Sequence, residues 1–68
     1  MELVLLVADR LAERNMTRKE LAEITKIRPA SISEICNNQR ISINREHLIK
    51  IAEALEIEDV RDLIELRK

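Results

Sequence analysis

Few side chains in this chain have chemistry to offer, and their spacing rules out most reactions. There is one Cys and one His. Cys36 falls beside Ile32 and Ile35 on what reads as an inner helix face, and a buried thiol with no partner is inert. His47 lies in the first turn of another helix with Glu46 as its only polar neighbour, which suits a solvated or phosphate-facing ring rather than a metal ligand or general base. No nucleophile, base and orienting group can be assembled from them. The acidic run Glu53, Glu56, Glu58, Asp59 and Asp62 reads as a solvated face. The residues with a plausible task are short and polar: Ala30, Ser31, Ser33, Glu34, Asn37 and Asn38, with the cations Arg18, Lys26, Arg28 and Arg40 around them. Small side chains that let a helix backbone approach closely, each with a donor, an acceptor or a methyl group, suit the reading of base edges in a major groove.

Two helices are needed to present that set. Thr17 and Glu20 form T-x-x-E, in which each side chain can bond the other residue's backbone N–H, and this starts a helix carrying Leu21 and Ala22 inward. The period breaks at Thr25-Lys26-Ile27-Arg28. Pro29, with no N–H to lose, opens a second helix whose inner face is Ile32 and Ile35. The pair spans about residues 17–38, with the second helix at 29–37.

The rest of the chain supplies a core. With 68 residues, 46% of them hydrophobic, 37% charged, none aromatic and none Gly, one all-α domain over residues 1–68 is expected. A first helix is expected over 2–14, ending at Asn15, which tolerates positive φ. Its start, Leu3 to Val7, is apolar on every face and would also suit a short strand. Residues 37–44 read as a polar loop pinned by Ile41 or Ile43. Asn44 caps a helix over 45–56 with Leu48, Ile51, Ala52 and Leu55 on one stripe, and Asp59 starts a short last helix carrying Leu63, Ile64 and Leu66. A lone Cys and no apolar stretch of spanning length imply a cytoplasmic protein with no membrane association.

Net charge is −1, yet it is unevenly spread. Lys26, Arg28, Arg40 and Arg45 against Glu34 make residues 26–45 positive, while 46–68 carry 4 basic and 7 acidic groups. The positive segment is the second helix of the pair and its flanks.

The T-x-K-E-L-A start, the I-x-P-x-x-I-S-x-I second helix, the polar loop and the L-x-x-I-A-x-A-L helix resemble the Cro and phage-repressor (XRE-like) helix-turn-helix family. The likeness is to its small single-domain members from Gram-positive bacteria and covers residues 7–66. It implies a five-helix lambda-repressor-like fold and a sequence-specific transcriptional regulator, a Cro-like repressor with helix 3 in the major groove of double-stranded DNA. With so few reactive groups and so short a chain, no enzyme activity, cofactor or small-molecule ligand is expected. By position, Arg18 falls where the family touches phosphate, Pro29, Ala30 and Glu34 on base-reading positions, and Asn37 and the loop around Arg40 on phosphate-contacting ones. The chain departs from the pattern at the turn Gly, here Lys26, at the Ser cap, here Arg28, and at the Gly after helix 3, here Asn38. Because Pro29 has no polar side-chain atom, specificity is expected to rest on Ser31, Ser33, Glu34 and DNA shape. Two other roles fit the same residues: an antitoxin that represses its own operon, and a protein-interaction adaptor without DNA affinity. A homodimer is expected through the N-terminal apolar segment, helical or as paired strands, with the C-terminal helix alongside.

Overall fold

The computed structural model describes residues 1–39 and 42–68. In chain order its elements are β1 (Glu2–Leu5), α1 (Val7–Glu13), α2 (Arg18–Thr25), α3 (Pro29–Cys36), α4 (Arg45–Ala54), a 3-10 turn (Val60–Asp62) and β2 (Ile64–Arg67). The helical class stands, but with four α-helices among the described residues in place of the expected five. Both ends of the chain account for the difference. They pair as an antiparallel two-stranded sheet, with Leu3 opposite Leu66 and Leu5 opposite Ile64. The first helix therefore begins at Val7 rather than at residue 2, and Leu6 before it supplies no side-chain cap.

The physical reason lies in the side-chain period. Strand geometry sends Leu3 and Leu5 to one face with Ile64 and Leu66, and Glu2, Val4, Glu65 and Arg67 to the other. A helix over the same residues would have spread the apolar ones all round. Asp59 does act as a cap, accepting from the Arg61 N–H at 2.9 Å, but the capped piece is a single 3-10 turn. Leu63 then turns into the core, and its carbonyl accepts from the Leu6 N–H at 2.7 Å to continue the ladder. The C-terminal helix expected alongside the dimer surface is strand β2 instead.

One core holds these elements together. Val7 and Leu11 of α1, Leu21 and Ala22 of α2, Ile32, Ile35 and Cys36 of α3, Ile51 and Leu55 from α4 and its end, and Leu5, Ile27 and Leu63 are all buried. Met16 and Leu48 pack against that set half-buried. Of the two residues expected to pin the loop, Ile41 lies outside the described residues and Ile43 is exposed.

Helix ends are closed without glycine. After α1, the Met16 N–H reaches the Leu11 carbonyl at 3.0 Å and the Asn15 N–H reaches Ala12 at 3.3 Å, with Asn15 at φ 52°. The same pair of bonds recurs after α3, with Asn38 at φ 55°, and after α4, with Glu56 at φ 55°. This is the Schellman arrangement, in which the left-handed residue is ordinarily Gly or Asn. Glu56, expected as the last helical residue, is instead the reversal, and a residue with a Cβ there costs about 1–2 kcal/mol over Gly. Glu56→Gly is therefore expected to raise stability by about 1 kcal/mol, read as a melting temperature about 4–8 °C higher. An unchanged or lower melting temperature would mean that the Glu56 side chain makes up the difference.

Candidate nucleic-acid interface

The helix pair is built as its caps require. The Thr17 hydroxyl accepts from the Glu20 N–H at 3.0 Å while the Glu20 carboxylate accepts from the Thr17 N–H at 2.9 Å. That backbone donor holds the Glu20 carboxyl below the usual carboxylate range, with the Thr17 hydroxyl adding to it. At the other end Thr25 is buried, and its hydroxyl both donates to the Leu21 carbonyl (2.7 Å) and accepts from the Ile27 N–H (3.3 Å). One side chain thus satisfies a donor that the turn would otherwise bury unpaired. Lys26 makes the reversal at φ 63°, Ile27 drops into the core, and Arg28 is the extended residue before α3 with no side-chain cap bond.

This turn fixes which residues of α3 face outward. Pro29 and Ala30 are exposed at its start, and Ser31, Ser33 and Glu34 are half-buried along its flank. Asn37 is exposed at its end, where its Oδ1 accepts from the Arg18 guanidinium at 3.1 Å. Arg18 thereby links the first residue of α2 to the end of α3. Asn38 has another task. Its Oδ1 accepts from the Leu5 N–H at 2.7 Å and its amide donates to the Leu5 carbonyl at 3.1 Å, so it clasps the edge of β1. Arg40, assigned to the loop after α3, lies outside the described residues.

Lys26, Arg28 and Pro29 line a shallow groove between α2 and the start of α3, and the groove adds a cation absent from the residues singled out in the sequence, Lys19. Its signal was present. Lys19, Ala22, Glu23 and Lys26 stand at i, i+3, i+4 and i+7, a single stripe of α2 that carries one cation at each end. Arg18, Lys19, Lys26 and Arg28 are all exposed, and the acidic Glu23 lines the groove with the last three.

The remaining reactive groups are Cys36 and His47. Burial pushes the Cys36 thiol up while the nearby Arg18 charge pulls it the other way, so the group is a neutral core sulfur. His47 is half-buried rather than solvated, and its Nδ1 has no partner among the described residues. No group of three His, Cys, Asp or Glu among the described residues is placed to hold a metal ion.

Comparison with known proteins agrees with that geometry. The sequence profile of a family described as the Cro/C1-type HTH DNA-binding domain matches residues 8–68. This chain belongs to the Cro/C1-type helix-turn-helix family. No curated protein matches it. The Cro/C1-type domain is similar in structure to a crystallised protein of Bacteroides fragilis provisionally described as DNA-binding. The TM-score is 0.81 at 31% identity, over 94% of this chain and 100% of that one. The family is a DNA-binding one and not a catalytic one. No helix among the described residues is long and apolar enough to cross a membrane.

Lys26 offers a test of what the Cro/C1-type domain gains by its departures. Lys26→Gly removes a left-handed residue with a Cβ and a cation at once, so stability is expected to rise by about 1 kcal/mol. DNA affinity should fall, with the salt dependence shallower by about one counterion. A variant gaining stability with no loss of affinity would take Lys26 away from the DNA surface.

Proposed function

We propose that this chain is a sequence-specific transcriptional regulator, a Cro-like repressor of the cytoplasm that works as a homodimer with α3 in the major groove. The observation that carries this is the juxtaposition of the small outer face of α3 with the cationic seam Arg18, Lys19, Lys26 and Arg28. In this reading the seam and Asn37 hold phosphates and fix register. Ala30, Ser31, Ser33 and Glu34 meet base edges, with Pro29 setting the approach of the helix start and Arg40 extending the phosphate contacts. A module of this size offers roughly 600–1,000 Å² to DNA, and a second copy supplies the remaining specificity.

A second role is favoured by a specific surface. Leu48, Ile49, Ala52, Ile57 and Val60 line a largely apolar groove together with Glu58, on α4 and the segment after it. A regulator that also neutralises a basic partner protein, as an antitoxin does, would have a use for it. Titration with random duplex DNA at low salt tests the proposal. Binding that weakens steeply as salt rises is expected, and no binding at all would leave an adaptor with the same fold.

A further inference from the structure

A second surface of the chain shares no residue with α2 or α3. It is the groove between α4 and the segment 57–63, with Leu48 and Ala52 half-buried in one wall and Ile57 half-buried in the other. Ile49 and Val60 line it while 59% and 51% exposed, so two aliphatic side chains on facing walls are left to water. The shape is set before anything binds. The Ile57 N–H bonds the Ala52 carbonyl at 2.9 Å and ties the second wall to α4, and the Leu63 N–H bonds the Val60 carbonyl at 2.9 Å and closes the 3-10 turn. A preformed apolar surface costs a ligand little ordering on the protein side.

Size and charge decide what fits. The cavity holds about 150 Å³, less than the pockets that enclose drug-sized molecules and enough for one or two aliphatic side chains. Glu58 lines it, and on α4 Glu46 and Glu53 fall three residues before and four after Ile49, the spacings of helix neighbours. All three carboxylates are exposed. Arg45, four residues before Ile49, is a cation at the same spacing, whereas Arg61 is drawn to Asp59 by an ion pair of 2.7 Å. Carboxylates around an apolar floor repel phosphate, so nucleic acid and anionic lipid headgroups are unfavourable here, while Lys and Arg are attracted. A helix spends its backbone groups on itself, so α4 has no strand edge to extend and side chains must carry the contact.

We propose that this groove takes a cationic amphipathic helix of a partner protein. Two aliphatic side chains one turn apart enter between Ile49 and Val60, and Lys or Arg on either side meet Glu46, Glu53 and Glu58. A second copy docking here about a two-fold axis would set these carboxylates against themselves, which disfavours it. The proposal deepens the second role above by stating the partner's chemistry, and rests on that role only for there being a partner.

The test holds neither DNA nor a natural partner, so its outcome is separable from both readings of function. A displayed library of helical peptides of about 16 residues is selected on the purified chain and counter-selected on Ile49→Lys. Ile49 is exposed and outside the core, so circular dichroism should show that variant folded. The retained peptides are expected to share Leu, Ile or Met at i and i+3 or i+4 with Lys or Arg on both flanks, and a synthetic peptide of that pattern to bind with a Kd on the order of 10–100 µM. Glu53→Lys together with Glu58→Lys should weaken that peptide by about tenfold or more, and raised salt should narrow the difference. A selection that yields no shared pattern or one without basic flanks, or a peptide indifferent to the two charge changes, would overturn the proposal. So would sedimentation that finds the wild type dimeric and Ile49→Lys monomeric, which would give the groove to a second copy.

Discussion

Replacing Arg18, Lys19, Lys26 and Arg28 together by Gln is expected to weaken DNA binding by at least about a hundredfold near physiological salt. The loss should be similar on specific and random duplexes, because phosphate contacts carry no sequence information. All four side chains are exposed, and none belongs to the core. Stability should therefore shift by no more than about 1 kcal/mol, with Arg18 contributing most of it through its bond to Asn37. The sharper readout is the slope of log affinity against log salt, which should flatten by about three to four, at about 0.9 for each phosphate no longer neutralised. A slope that stays at its wild-type value would separate this seam from the DNA, however much the affinity changed.

Asn38→Ala is expected to cost about 2–3 kcal/mol of folding stability, a large share for a domain of this size. It removes both hydrogen bonds to Leu5, 33 residues away in sequence, and leaves an alanine in a left-handed conformation. The clasp is also what seats the sheet against the end of α3. Asn38→Gly distinguishes the two contributions, since Gly accepts the conformation freely but cannot hold Leu5. It should fall between wild type and Asn38→Ala in thermal unfolding. A glycine variant more stable than wild type would show that the clasp adds little and that Asn38 is only a substitute reversal.

These substitutions also mark where the sequence was legible. Thr17 with Glu20, Pro29 and Asn44 are local signals, and each cap forms where its residue types require it; the Asn44 side chain accepts from the N–H groups of Glu46 and His47 at 2.9 and 3.2 Å. Lys26 could be read as a left-handed corner because the resemblance places it where the family has its turn Gly. The strands were harder for a physical reason. A four-residue run such as Ile64-Glu65-Leu66-Arg67 suits a strand or one helical turn, and what decides is a partner at the opposite end of the chain. Asn38 shows the same limit from another side. In sequence it is only a residue standing in place of the family's Gly, and its hold on Leu5 shows once the chain is folded. Glu56 carried no local signal, because nothing about Glu announces a positive φ.

Whether α3 reads a defined sequence in the major groove is tested most directly by sequencing the DNA fragments that the purified chain retains from a random pool. Enrichment of an inverted repeat with half-site centres about 34 Å apart, one turn of duplex, is expected, with a changed preference at one position of each half-site when Glu34 is replaced by Gln. Fragments retained without any shared motif, or a motif unaltered by substitutions along α3, would contradict it.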